Sequence, residues 1–231
     1  MDRNSEEVDR VAALRAAEAN AVRLFDEVVS RGLVAPGRTE TDISEDVRRV
    51  ARELFGVTQH WHKRIVRSGP NTLLPYAENP PNRLLGRDDI VFFDFGPVFA
   101  EWEADLGRTY VLGDDPVKCR LRDDLEPIYR EGREYFDAHP QVTGAQLYDF
   151  VVGRAEARGW EFGGPIAGHL IGEFPHERIQ GDKITLYIAP ENHTRMRDVD
   201  ARGYQRHWIL EVHLVDRRRE IGGFFEQLLT I

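Results

Sequence analysis

The sequence predicts an α+β domain in which helices cover an antiparallel sheet. Helical hydrophobic spacing dominates the early segments, a strand-like hairpin follows near residue 100, and further helical and strand-like segments come later in the chain. This order of elements is typical of a sheet with helices packed against it. With 231 residues, 41% of them hydrophobic, the chain can bury a large core. We therefore expect one domain over residues 1–231.

Four segments have helical features. The predicted helices begin near residue 5, at Thr41, at Asp115 and at Thr143. The third contains Pro127, which should kink or restart it, because proline lacks the amide hydrogen that the helix needs. The fourth is the best marked, since Thr143 and Gln146 form a capping-box pattern and Gly159 follows its end.

Four segments have strand-like features. They are residues 90–93, 106–112, 184–188 and 207–215. The last alternates strictly, with Trp208, Leu210, Val212 and Leu214 on one face. The other face then carries His207, Ile209, Glu211 and His213, so that a carboxylate and two imidazoles lie side by side on one pleated surface.

Composition excludes several classes of function. The net charge of −9 argues against a nucleic-acid partner, which clustered Lys and Arg would bind. The sequence has no apolar run long enough for a membrane helix and no secretory signal pattern at its start, so we expect a cytoplasmic protein without a membrane partner. Cys119 is the only cysteine, which excludes an internal disulfide and leaves oxygen and nitrogen ligands for any metal.

Two aspartates flank the predicted hairpin. If its turn lies at Phe99–Ala100, Asp94 and Asp105 are direct cross-strand partners. Carboxylates so close among apolar neighbours repel each other, and a divalent cation relieves the repulsion most simply. If the turn lies elsewhere, both are exposed loop acids.

Other motifs join this pair. They are Ser68-Gly69-Pro70-Asn71, Arg108-Thr109, Gly168-His169-Leu170-Ile171-Gly172, His176-Glu177 and Glu211. In this order and spacing, from roughly Thr41 to the C-terminus, the sequence resembles the catalytic domain of methionine aminopeptidase, prolidase, aminopeptidase P and creatinase. That resemblance implies the pita-bread fold.

The resemblance also implies roles for individual residues. Asp94 would bind one metal ion and Asp105 would bridge two. His169 would bind the second ion, Glu211 would bridge both, and His176 would contact the substrate carbonyl or its oxyanion. Carboxylates with imidazole suit one or two divalent ions of Mn, Fe, Co or Zn.

The sequence also departs from the family pattern. The family's glutamate that precedes a proline, a ligand and candidate base, corresponds here to Ala189, and a proton-transferring histidine corresponds to Tyr76. His213 could replace the missing ligand, with Glu173 and Glu191 as weaker alternatives. Tyr76 can donate a proton but is a poor base at neutral pH.

Three functions remain open. The first is a metal-dependent hydrolase resembling Xaa-Pro dipeptidase or aminopeptidase, acting on a dipeptide or small amide. The second is a repurposed metalloenzyme of the same fold with lyase- or oxidase-like chemistry on a small non-peptide substrate, for which a single iron ion is one option. The third is an inactive binding module. The resemblance also leaves a homodimer open.

Overall fold

A computed structural model describes residues 3–175 and 183–231, in which helices surround an antiparallel sheet. The helices are α1 (Arg3–Ser30), α2 (Glu40–Phe55), α3 (Pro116–Ala138) and α4 (Gly144–Ala157). The strands are β1 (Ile65–Ser68), β2 (Asp89–Phe95), β3 (Val98–Phe99), β4 (Trp102–Glu103), β5 (Leu106–Leu112), β6 (Glu161–Phe162), β7 (Leu170–Ile171), β8 (His207–Asp216) and β9 (Ile221–Leu228). Two 3₁₀ helices cover Gly69–Leu73 and Lys183–Leu186.

The main sheet has the strand order β1-β2-β5-β9-β8-β6, and β7 also pairs with β8. All of the described pairings are antiparallel. The strands β6 and β7 pair with opposite ends of β8, at Val215 and Trp208 respectively. The α+β prediction is confirmed, with β8 and β9 as the longest strands of the sheet.

The helices cover one face of this sheet in two groups. Side chains of α1 and α2 pack on β2, where Val91, Phe93 and Phe95 form the shared core. Side chains of α3 and α4 pack on β8 and β9. The predicted apolar face of β8 belongs to this second core and consists of Trp208, Leu210, Val212 and Leu214. Alternation therefore directs Asp94 of β2, Glu211 of β8 and Glu226 of β9 to the opposite face.

Two details of the helices differ from the predictions. The N-cap of α2 is Thr39, not Thr41, because Thr39 forms a capping box with Asp42. The helix α3 is continuous over Pro116–Ala138 despite Pro127. The capping box that was predicted for α4 is confirmed, since Thr143 and Gln146 exchange hydrogen bonds of 3.0 and 3.3 Å between side chain and backbone.

One predicted strand is wrong. Residues 184–188 do not form a strand; Lys183–Leu186 is a 3₁₀ helix, and Tyr187 makes only an isolated bridge with His169. The apolar residues of such a short run do not distinguish a strand from a helical turn.

Within the described part of the chain, no helix is long and apolar enough to cross a membrane.

The capping box of α4 gives a test of the fold. Thr143→Ala removes the side-chain acceptor for the amide of Gln146 and should lower the free energy of unfolding by ~1 kcal/mol. Thr143→Ser keeps that acceptor and should remain close to the wild type. Urea unfolding measures both; equal losses in the two variants would show that the hydroxyl does not stabilise α4.

Candidate metal centre

The hairpin that carries the two aspartates has a different register from the one predicted. Asp94 pairs with Gly107, and the turn lies at Ala100–Glu101, where both residues have positive φ. Asp105 precedes β5 and lies two residues before Gly107, the partner of Asp94. The two carboxylates are therefore diagonal neighbours on one face, and both side chains are buried rather than exposed in a loop.

Asp105 lies between two histidines, and each of its oxygens faces one of them. The distance from His169 Nε2 to Asp105 Oδ2 is 3.0 Å, and that from His62 Nε2 to Asp105 Oδ1 is 3.1 Å. His62 Nε2 also lies 3.5 Å from Asp94 Oδ1. His62 was not predicted from the sequence, because it lies just before β1 in a segment without periodicity. Because Ile65 of β1 pairs with Asp94, this segment enters the sheet beside that aspartate.

Two glutamates of the last two strands complete a cluster that also contains His62, Asp94, Asp105 and His169. Glu211 of β8 and Glu226 of β9 are direct cross-strand partners, and Glu226 also pairs with Gly107. His169 Nε2 lies 3.7 Å from a carboxylate oxygen of each glutamate. A Cβ atom on Gly107 would come within 2.9 Å of the Cβ of Glu226, so glycine is what allows β5 to approach β9 here.

A glycine also positions His169. Gly168 has φ of 137°, and a Cβ atom there would lie 2.1 Å from the carbonyl oxygen of Ile209. This close approach lets the His169 carbonyl accept a hydrogen bond from the Ile209 amide at 2.9 Å. The His169 ring is oriented by its Nδ1, 2.8 Å from the Leu170 carbonyl. The imidazole is therefore fixed beside β8 with Nε2 directed at the carboxylates.

Burial makes the charge of this cluster costly. It raises the pKa of Asp94 to about 6 and that of Glu211 to about 8, and it raises the pKa of Glu226 well above its usual range, with repulsion from Asp105 adding to the effect. Burial acts on Asp105 in the same direction, but the two neighbouring histidines outweigh it and hold the pKa of Asp105 below its usual value. The cluster needs positive charge.

The donor set fits divalent metal ions. Two groups offer ligand atoms within 4.8 Å of one another: His62 with Asp94 and Asp105, and Asp105 with His169 and Glu226. Glu226 Oε2 is buried and has no hydrogen-bond partner among the described residues, as expected for an atom that binds a cation. Two divalent ions would cancel the charge of four carboxylates, whereas two imidazolium groups would cancel only half of it.

The interpretation of Ala189 as a vacant ligand position is not supported. That interpretation required a strand at residues 184–188, which the structure does not contain. The strand that precedes the last one is β8, and it carries Glu211, while β9 supplies Glu226. The cluster therefore has two glutamates without Ala189, although Glu211 is followed by valine and not by proline.

His213 is not brought into either group. Its Nε2 donates a hydrogen bond of 2.8 Å to the carbonyl of Thr72, and its ring packs edge-on against Phe92 and Phe224. Burial lowers its pKa to about 4. His213 thus anchors the 3₁₀ helix Gly69–Leu73 to β8 as a neutral side chain. The alternatives Glu173 and Glu191 are exposed and also lie outside both groups.

The two predicted catalytic residues differ in placement. The ring of Tyr76 lies 5.9 Å from that of His62 in an edge-on contact, and the residue is 51% exposed, so it lies between the cluster and solvent. His176 lies outside the described residues, and its role stays a prediction.

Sequence comparison identifies the family. The sequence model of Metallopeptidase family M24 matches residues 12–198, which is most of the chain. The chain belongs to this family. The match ends before Glu211 and Glu226, so only the pairing of the strands links these two residues to Asp94, Asp105 and His169. No curated protein matches the chain at a significant level.

Solved structures share the pita-bread fold of this M24 chain. An X-Pro aminopeptidase from Thermotoga maritima is 19% identical, with a TM-score of 0.76 over 96% of this chain and 61% of that one. A prolidase from Thermococcus sibiricus is 18% identical, with a TM-score of 0.74 over 94% and 55%. The dipeptidase PepE from Mycobacterium ulcerans is 24% identical, with a TM-score of 0.73 over 96% and 55%. The chain thus spans little more than half the length of these proteins.

The cluster predicts that metal stabilises the fold. At a free ion concentration near 100 times the Kd, Mn²⁺, Co²⁺ or Zn²⁺ should raise the free energy of unfolding of the metal-stripped protein by ~2.7 kcal/mol per site. Asp105→Asn should lose most of that gain, whereas the exposed control Asp114→Asn should keep it. Denaturant unfolding with and without metal measures the difference, and an undiminished gain in Asp105→Asn would refute the assignment.

The anchoring role of His213 predicts a pH dependence. A histidine with a pKa of about 4 in the folded state binds protons more weakly than in the unfolded chain, so stability is present above the unfolded pKa and is lost as pH falls. Between about pH 7 and about pH 4.5 this loss should be ~2–3 kcal/mol. His213→Asn should lack that component. Unfolding curves of the chelator-treated proteins test this; parallel pH profiles would contradict a neutral His213.

Proposed function

We propose that this M24 protein is a metal-dependent hydrolase that cleaves dipeptides or small amides, with Xaa-Pro dipeptides as the first candidates. The observation that carries the proposal is the position of Asp105, which belongs to both ligand groups and directs each of its two oxygens at a different histidine. A shared carboxylate between two sets of ligands is the arrangement that two-metal hydrolases use. The prolidase, X-Pro aminopeptidase and dipeptidase of the same fold support the choice of substrate class.

The metal ions and Glu211 would have separate tasks. Bound ions would supply Lewis-acid polarisation of the substrate carbonyl and would lower the pKa of water. Glu211 is the more accessible glutamate, with 14% of its side chain exposed against 2% for Glu226. Water and substrate can therefore reach Glu211, and we assign it the role of proton acceptor, while Glu226 serves as a ligand.

Tyr76 would act at the entrance of the site. Its contact with His62 places the ring beside the candidate ligands, and its exposure leaves it accessible to a substrate. A phenol can donate a hydrogen bond or a proton to an oxyanion or a departing nitrogen, but it does not act as a base at neutral pH. Tyr76 is thus proposed as a donor.

A second candidate function rests on His62. A nitrogen-richer site suits iron better than a purely carboxylate one, and repurposed lyase- or oxidase-like chemistry on a small non-peptide substrate would use such a site. The inactive binding module is the least supported function, because a cluster of buried carboxylates is costly to retain without a cation.

Dipeptide hydrolysis tests the proposed function. The protein, loaded in turn with Mn²⁺, Co²⁺, Zn²⁺ or Fe²⁺, should hydrolyse Xaa-Pro dipeptides faster than longer peptides. Glu211→Gln should lower kcat by ~10²–10⁴-fold, since it removes the proton acceptor, while the exposed-site control His193→Ala should keep wild-type activity. Release of the free amino acids measures the rate. A fully metal-loaded protein that cleaves no dipeptide would exclude this function and favour the repurposed enzyme.

A further inference from the structure

The two histidines that flank Asp105 have the same local arrangement. In each, Nδ1 lies close to the backbone carbonyl of the next residue, 2.7 Å from Lys63 for His62 and 2.8 Å from Leu170 for His169. An Nδ1–H that donates to a carbonyl leaves the lone pair on Nε2, which is how proteins orient histidine ligands of metals. In both residues Nε2 is directed at Asp105, with one oxygen for each ring.

The ring of His62 enters the cluster because Gly96 leaves room for it. A Cβ atom on Gly96 would lie 2.3 Å from His62 Cδ2 and 2.4 Å from Trp61 Nε1. Glycine is therefore required here by contact with side chains, since its φ is not among the positive values. The hairpin that joins Asp94 to Asp105 is shaped to admit this imidazole.

The segment before His62 is fixed to that hairpin. The Trp61 amide donates to the Gly96 carbonyl at 2.9 Å, and the Val98 amide donates to the Gln59 carbonyl at 3.0 Å. The Trp61 indole donates to the carbonyl of Ala104 at 3.0 Å, immediately before Asp105. These contacts within the chain hold His62 in place, as a preorganised ligand requires.

We propose that His62 is a metal ligand, which binds the ion shared with Asp94 and Asp105 and gives each of the two ions its own histidine. This inference rests on the metal site of the proposed function and adds a ligand that the sequence motifs do not contain. An ion with two aspartates and one imidazole should prefer Fe²⁺, Co²⁺ or Zn²⁺ over Mg²⁺ or Ca²⁺.

The competing explanation is that the His62 ring is protonated and is itself the counter-ion of the two aspartates. An imidazolium at this position would pair with Asp94 and Asp105 and exclude an ion from that side of Asp105. The two explanations predict opposite effects of removing the ring. Loss of a ligand weakens binding of one ion, whereas loss of a competing cation strengthens it.

Cobalt binding to the whole chain distinguishes them. Calorimetric titration of the metal-stripped wild type with Co²⁺ should show two binding steps, and His62→Gln should weaken one step at least 10-fold while leaving the other. The matched control His193→Ala, an exposed histidine, should bind like the wild type. An unchanged or tighter pair of steps in His62→Gln overturns the proposal, and so does a wild type that binds no cobalt.

Counting the imidazole ligands of cobalt in the wild type gives a test that does not depend on how well the variant folds. X-ray absorption at the cobalt edge of the loaded wild type should show an average of one imidazole per ion, and an average of half an imidazole would overturn the proposal. Hydrolysis is a separate readout. If a histidine binds each of the two ions but no dipeptide is cleaved, only the proposed function is refuted. If dipeptides are cleaved but His62→Gln binds cobalt like the wild type, only the assignment of His62 as a ligand is refuted.

Discussion

The burial of Asp105 between two imidazoles is the constraint on which the rest of the structure depends. Asp105 is 4% exposed, and three further carboxylates lie on the same face of the sheet. Such a cluster is stable only when the surrounding groups are held firmly and a counter-charge is supplied. The glycines at positions 96, 107 and 168 each admit a neighbour that a side chain would displace, and each lies at an approach to this cluster.

The two faces of the sheet have different roles, one in packing and one in the candidate site. On one face, α1 to α4 pack against apolar side chains in two cores, and on the other face the same strands present acids and histidines. Strand alternation alone produces this division. It places the donors of β2, β8 and β9 on a rigid framework, whereas His62 and Asp105 come from the segments that precede β1 and β5.

The sequence predicted the parts of the site that lie in motifs or in alternating strands. Asp94, Asp105, His169 and Glu211 were found in this way, and the structure brings them together. Glu226 was missed because β9 is almost entirely buried, so no alternation marks it as a strand. The apparent gap at Ala189 followed from that omission, because a short apolar run was taken for the strand that β8 provides.

His62 could not be predicted for a different reason. Its position depends on pairing between residues 59–61 and 96–98, and such long-range contacts leave no periodic signal in the chain. His213 shows the converse error. It shares a face with Glu211, but the carbonyl of Thr72 lies within its reach and takes its hydrogen bond. A shared face therefore indicates a neighbourhood and not a ligand.

The central claim is that the cluster holds two divalent ions on either side of Asp105. Anomalous diffraction from crystals of the protein loaded with Co²⁺ or Zn²⁺ tests it most directly. Two peaks are expected, ~3.5–4 Å apart, with the Asp105 carboxylate between them. The absence of a peak at Asp105, in a crystal that binds the ion elsewhere, would contradict it.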